Sequence, residues 1–403
     1  MQRWGIERIS KTDVFAGRDP VIGRKAAVVD ICGIRKRKAE TSRQTGNCLY
    51  FFPAVYIYLH EKNYVGLQKI NTYFMETVVS GIRSTGNLHL GNYFGAVVNY
   101  LKMQYEYNCY FFIADYHSLT THPTPKNLHD NVKQILSEYL ACGIDPEVAT
   151  IYLQSDVPEV TELYLLLNMN AYIGELIRTT SFKEKIRKQP DNVNAGLLTY
   201  PVLMAADIII HRATKVPVGK DQEQNLEMTR RFARRFNTMY GVEYFPEPTA
   251  FNFGKQLIKI PGLDGTGKMG KSEGNALYLT DTPEAIRKKV MRAVTDSGPT
   301  RENQEMSEPV QNLFTIMEVI SSPDTVRHFR DLYNRCKIRY GDMKKQLAED
   351  IITFTTPIRK KVQEIYNDNE YLRKVVNRGA EKARESAGKT VREVREIIGF
   401  KPF

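Results

Sequence analysis

Two stretches of this chain carry residues whose types and spacing suit phosphate chemistry. The first, Thr85-Gly86-Asn87-Leu88-His89-Leu90-Gly91-Asn92-Tyr93, follows a β-type run, Thr77–Gly81, and opens an amphipathic helical pattern reaching about Gln104. Where a strand hands over to a helix in an α/β protein, backbone N–H groups and the helix N-terminus meet a phosphate. His89 and Asn92 are three residues apart, so a helical start puts both on one face. Gly91 between them lets a ligand approach the backbone closely. Taken alone, the turn fits a capped surface helix equally well. The second stretch, Gly262–Ser272 (GLDGTGKMGKS), sets Lys268 and Lys271 three apart on a flexible glycine-rich loop. Two compact ammonium groups there suit the negative charge that grows on a departing pyrophosphate. Solvated lysine loops are common; one placed 179 positions after a histidine turn of this kind is not.

The elements that must position these residues repeat as strand, loop and helix. Asn108–Ala114 (NCYFFIA) reads as a buried strand ending at Asp115, Asn127–Cys142 as a helix, and Thr150–Gln154 as a further buried strand. Such alternation implies an α/β fold with a doubly wound parallel, Rossmann-like sheet. His117 and Asp115 lie past a strand's C-terminal end, where ligands bind in such sheets. Asp207 follows the apolar stretch Pro201–Ala206, so it would point a carboxylate into an apolar pocket. Ending a helix is otherwise the commoner role for such a residue. Beyond Pro283 the strand pattern stops, and helices are expected over Pro283–Thr295, Thr325–Arg335, Lys344–Asn367 and Asn369–Ile398. The expected organisation is a basic extension (1–74), a catalytic part (75–280) and a helical part (281–403), whose last helix can pack back on the catalytic part.

Of 403 residues, 42% are hydrophobic and 26% charged, an ordinary globular balance. No apolar run approaches the ~20 residues of a membrane helix. The five cysteines form no C-x-x-C pair, so a zinc or iron–sulfur site lacks support and free thiols are expected. Net charge is +11, yet residues 1–74 hold 13 basic and 6 acidic side chains, leaving 44 against 40 for the remainder. Most of the basic excess therefore belongs to the leading segment and says little about nucleic-acid binding by the body. That segment, with Arg35-Lys36-Arg37-Lys38 and no sustained periodicity, is read as sequence upstream of a working start near Met75. A targeting peptide and a basic RNA-binding arm are the alternatives, and its acidic residues argue against the first.

The two phosphate-type stretches together resemble the signatures of class I aminoacyl-tRNA synthetases known as HIGH and KMSKS, here His89-Leu90-Gly91-Asn92 and Lys268-Met269-Gly270-Lys271-Ser272. The similarity to the tryptophanyl-tRNA synthetases runs further. It includes Asp115-Tyr116-His117, Gly143-Ile144-Asp145-Pro146, Tyr172-Ile173-Gly174-Glu175-Leu176, Ser181-Phe182-Lys183-Glu184-Lys185, Ala195–Asp207 and Val216–Gln224. The resemblance implies attack of the tryptophan carboxylate on the ATP α-phosphate, then transfer of tryptophan to the tRNA for tryptophan. It implies that His89, Asn92, Lys268 and Lys271 serve the chemistry. ATP would be bound by these together with Arg83, Ser84, Thr85, Gly91, Gly219, Lys220, Asp221, Ile258, Met269, Gly270 and Ser272. Asp207 would receive the indole N–H, with Tyr200, Met204, His117 and Gln222 around the amino acid. Mg2+ would be held mainly by ATP, without a protein metal site. A homodimer in the cytoplasm, an anticodon-reading helical part and no membrane contact are also implied. Gly270 stands where serine is usual, Arg83 where glutamine is frequent, Ser84 where proline is usual, and Lys220 where glutamate is common. Tyrosyl-tRNA synthetases share both signatures and are the nearest rival reading; a small-molecule nucleotidyltransferase and a catalytically silent RNA-binding relative are more distant ones.

Overall fold

The computed structural model describes residues 75–401, apart from 220–221, 252–258 and 266 and the side chains of 188 and 272. Lys220, Asp221, Ile258 and the segment 1–74 therefore lie outside the described residues. Met75–Phe403 forms one compact unit.

Five parallel strands make the sheet, in the order β3-β2-β1-β4-β5. They are β1 (Thr77–Arg83), β2 (Asn108–Ala114), β3 (Thr150–Leu153), β4 (Lys215–Val216) and β5 (Thr249–Ala250). Six of the seven residues of β2 are buried, as a near-continuous apolar run requires when helices cover both faces. Because the chain runs from β1 out to β2 and β3 on one side and then returns to add β4 and β5 on the other, the order reverses at β1. Ligands bind at the C-terminal ends of the strands beside such a switch point. The expected end of β1 at Gly81 is two residues short. Gly81 pairs with Phe112 across the ladder, and an added Cβ would meet the Phe112 ring at 2.3 Å. The glycine makes room for that ring and does not end the strand.

The helices of eight or more residues are α1 (Pro125–Cys142), α2 (Glu159–Asn168), α3 (Thr180–Lys188), α4 (Ala195–Ile209) and α5 (Glu223–Tyr240), followed by α6 (Pro283–Met291), α7 (Glu308–Ile320), α8 (Pro323–Asn334), α9 (Tyr340–Asn367) and α10 (Asn369–Ile398). Local chemistry starts and stops α1. Thr124 caps the Asn127 N–H, Pro125 occupies the first turn, and Gly143 closes the helix with φ 105°. Sequence patterning missed α7, whose start is nevertheless marked by Ser307 as N-cap and Pro309 in the first turn.

Two apolar layers form the core, one on each sheet face. Val78, Phe111 and Ile113 face α1 and extend into α6–α9, while Val79, Phe112 and Tyr152 face α4, α5 and part of α10. The last helix covers the edge strand closely: a Cβ on Gly379 would lie 1.7 Å from the Ile151 carbonyl oxygen. Lys344 on α9 is buried and donates to the Ala293 carbonyl at 2.7 Å.

Candidate active site

The turn after β1 is organised by its own residues. The Nδ1 of His89 accepts the Asn92 N–H at 3.2 Å, and Asn92 Oδ1 accepts the His89 N–H at 3.2 Å, a reciprocal capping box. Nδ1 is thus an acceptor, which puts the imidazole proton on Nε2. Burial, reinforced by Lys271 and Lys268, pushes the His89 pKa down to about 4, so the ring is neutral at physiological pH. A neutral imidazole can donate its Nε2–H to a phosphate oxygen without bringing charge. The space over Gly91, read from sequence as room for a ligand, is taken by this ring: an added Cβ would meet His89 Cε1 and Nδ1 at 2.9 Å.

Lysine chemistry closes on the same turn. Lys271 Nζ donates to the Gly86 carbonyl at 2.6 Å and the Thr85 carbonyl at 3.4 Å. Burial lowers its pKa to about 8, opposed by Glu138 and assisted by Arg83. Met269, between the lysines, is buried in the core beside Leu88 and Leu90 and anchors the loop. The loop is further tied by Met269 N–H to the Ile260 carbonyl at 3.1 Å and Gly270 N–H to Asn275 Oδ1 at 2.9 Å. Downstream, Leu90 N–H bonds the Leu277 carbonyl and Leu279 N–H bonds the Leu88 carbonyl, each at 2.9 Å. Backbone bonds therefore flank His89 on both sides and link it to the lysine segment.

A second polar cluster lies under the C-terminal ends of β2 and β3. Asp207, 1% exposed on α4, accepts from Gln154 Nε2 at 2.8 Å and pairs with His117 Nε2 at 2.9 Å. Burial raises its pKa, against the lowering influence of His117 and Gln154. Tyr200 stands one helical stretch earlier, its ring edge-on to His117 at 6.4 Å between centroids. A cavity of about 190 Å³ opens between α4, α2 and the segment after β2, with His117, Tyr164, Thr199, Tyr200 and Leu203 in its wall. Gln222 precedes α5 and accepts from Asn225 Nδ2 at 2.9 Å.

Most of the sequence-selected residues converge here. His89, Asn92, Thr85, Gly91 and Lys271 meet at one turn, while Asp207, His117 and Tyr200 meet beside Arg83. Lys268 is on the same loop as Lys271 but exposed. Asp115, directly past the end of β2, accepts from the Ser155 N–H at 3.0 Å and from the Ser155 hydroxyl, and so fastens β2 to the segment after β3. Ser84 is likewise occupied, its hydroxyl 2.9 Å from that of Ser118.

The chain matches the profile of the family described as tRNA synthetases class I (W and Y) over residues 75–356. It is 69% identical over 327 residues to the Tryptophan--tRNA ligase of Porphyromonas gingivalis, covering 81% of this chain and 100% of that relative. The chain belongs to the tryptophan–tRNA ligases. Another relative, the Tryptophan--tRNA ligase of Fusobacterium nucleatum, is 41% identical over 326 residues, covering 81% of this chain and 98% of its own. Among solved structures, tryptophanyl-tRNA synthetase from Campylobacter jejuni complexed with ADP and tryptophan superposes with a TM-score of 0.73 at 33% identity, covering 80% of this chain and 99% of that one. Class I ligases of this family use ATP and form an aminoacyl-adenylate before charging tRNA.

Within that family setting, four groups stand out: Arg83, expected from the resemblance to contact ATP, and Lys185, Gln154 and Glu138, to which the sequence reading assigned no role. Arg83 Nη2 donates to the His117 carbonyl at 3.4 Å, while its Nε is buried without a partner among the described residues. Lys185 Nζ sits 3.2 Å from the Tyr200 ring centroid, and burial followed by Arg83 pushes its pKa to about 8. Gln154 holds Asp207, and its buried Oε1 has no partner among the described residues. Glu138 is fully buried on α1 beneath the first signature. A charged residue inside an otherwise apolar helix face is the signal that could have singled out Glu138. Nothing local marks Lys185 or Gln154.

Proposed function

We infer that this chain activates L-tryptophan with ATP and charges the tRNA for tryptophan, using the turn at His89 and the lysine loop as one phosphate site. The observation that carries this reading is the bond from Lys271 Nζ to the Gly86 carbonyl, 2.6 Å, which joins two motifs 185 positions apart. Around it Arg83 and Lys185 add positive charge whose desolvation lowers both pKa values. Three cations held partly out of water favour a polyanion, and a triphosphate supplies one.

In this reading the α-phosphate lies near His89 Nε2–H and the Asn92 amide, and the departing pyrophosphate meets Lys268 and Lys271. Stabilising that charge and aligning the tryptophan carboxylate are the main tasks, because phosphoryl chemistry needs little covalent help. Mg2+ fits as a passenger on the phosphate oxygens, since the groups named here are cations rather than carboxylates. Among the described residues no group of three or more His, Cys, Asp or Glu is placed to hold a metal. Each oxygen of Asp207 holds one hydrogen bond and keeps a second lone pair, so it can also accept the indole N–H. Tryptophan-dependent ATP–pyrophosphate exchange by the purified chain, followed by tRNA charging, tests the reading. Exchange driven by tyrosine instead would overturn it.

Two further points belong to this proposal. Leu165, Met169, Tyr172, Ile173 and Ile177 are all exposed, between 45% and 72%, on α2 and the segment after it. An apolar surface of this kind suits a second copy of the chain, as in a homodimer. Sedimentation should give a dimer, and Leu165→Asp with Ile173→Asp a monomer; a monomeric parent chain refutes the dimer. The working enzyme is read as starting near Met75, supported by the family match beginning there. Mass spectrometry of the native N-terminus decides the point, since retention of Trp4 contradicts it. Among the described residues no helix is long and apolar enough to cross a membrane; with tRNA as substrate, the cytoplasm is the proposed place of work.

A further inference from the structure

Glu138 is a carboxylate that α1 buries completely, among Ile135, Leu136 and Tyr139. Such a group is costly unless its oxygens are engaged. Both are: Oε2 accepts the Leu88 N–H at 2.7 Å, and Oε1 accepts Gln134 Nε2 at 2.9 Å. Leu88 immediately precedes His89, and its carbonyl is held from the other side by Leu279 N–H at 2.9 Å. Glu138 thus fixes the backbone from which the capping histidine projects. Its charge also acts on Lys271, where it opposes the effect of burial. We propose that Glu138 is a positioning residue for adenylate formation, holding the Leu88–His89 turn and drawing Lys271 onto the Thr85–Gly86 carbonyls where the departing pyrophosphate is met.

The inference rests on the reading of Lys271 as a phosphate-binding group. The titratable groups around Glu138 are Lys271 from the signature loop and Cys142 on its own helix, with Arg83 on β1 beyond Lys271. Burial pushes the Glu138 pKa up to about 7, and the bonds from Gln134 and Leu88 and the Lys271 charge pull it down. Its charge, and with it the hold on Lys271, therefore changes across neutral pH.

Glu138→Gln keeps an acceptor for the Leu88 N–H while removing the charge. It is expected to lower kcat for tryptophan-dependent ATP–pyrophosphate exchange about tenfold, leave the KM for tryptophan within about twofold, and erase an acid-side inflection of kcat near pH 7. In the Lys271→Met background the same change should have little further effect, because Glu138 acts through that lysine. Wild-type kcat and pH profile in Glu138→Gln, or full additivity with Lys271→Met, overturns the inference. If Lys271→Met alone leaves exchange intact, the reading of the lysine loop fails instead. Should Glu138→Gln not fold, the parent profile still decides: no inflection near pH 7 refutes the role.

Discussion

Asp207 holds Gln154 and His117 before any substrate arrives, so its carboxylate is already oriented when an indole N–H is offered. A hydrogen bond to a charged group contributes about 1.5–3 kcal/mol, and that range sets the expected loss. Asp207→Ala should lower kcat/KM for tryptophan on the order of 10- to 100-fold, measured by exchange; an unchanged value rejects the acceptor role. The same substitution strands Gln154 and His117, so a lower Tm is expected beside the kinetic loss. At the lysine loop the expectation is different. On the proposal that Lys271 meets the departing pyrophosphate, Lys271→Met should lower kcat about 10²- to 10³-fold with little change in the KM for tryptophan. Residue types and spacing made His89, Asn92, Lys268 and Lys271 legible. They did not reveal that His89 is neutral with its proton on Nε2, because that follows from burial and from the Asn92 N–H.

At the scale of elements, three glycines separate into different cases. Gly270 has φ −145°, extended backbone open to any residue, and an added Cβ would meet the flexible Glu273 side chain at 3.3 Å and the Lys268 carbonyl oxygen at an ordinary 3.9 Å. Gly270→Ser should therefore change stability by less than about 0.5 kcal/mol and leave exchange rates near the parent's. Gly81 faces the Phe112 ring and Gly379 faces the Ile151 backbone. Overpacking costs about 1–3 kcal/mol, and a ring can shift where a strand carbonyl cannot. Gly379→Ala should thus lower the denaturant midpoint more than Gly81→Ala, and the reverse order would contradict the packing of α10 on β3. Strand positions were readable because apolar runs bounded by turns have few other uses. The short strands β4 and β5 gave no such signal, and α7 was missed because its apolar pattern follows a long polar loop.

For the molecule as a whole, acid should be the sensitive direction. His211 is fully buried between Tyr152 and Ser386, stacked on Tyr110, and burial pushes its pKa to about 3. With His89 near 4, two histidines stay neutral in the fold but take up protons when unfolded below about 6.5. Their contribution is present above pH 6.5 and is lost as pH falls through 4 and 3. Glu138 acts oppositely, since its pKa is raised from 4.5 to about 7 and ionisation costs stability as pH rises. The two histidine shifts together exceed it, so Tm should fall between pH 6.5 and 4. A Tm that stays level across that range rejects this balance. Because His211, in the turn after α4, bonds Ser386 on α10, release of the last helix is the expected first event, visible as earlier amide exchange there.

Sequence alone determined the chemistry class, the parallel α/β plan and the two phosphate motifs, because each depends on local residue type, period and spacing. Tertiary structure decided what lies between the motifs. It set Lys271 on the Gly86 carbonyl, turned Met269 into the core, assigned Asp115 and Lys344 to internal bonds, and placed Glu138 under Leu88. These outcomes depend on which distant segments the sheet brings together and on how much water remains there. Neither quantity is carried by a stretch of chain taken by itself.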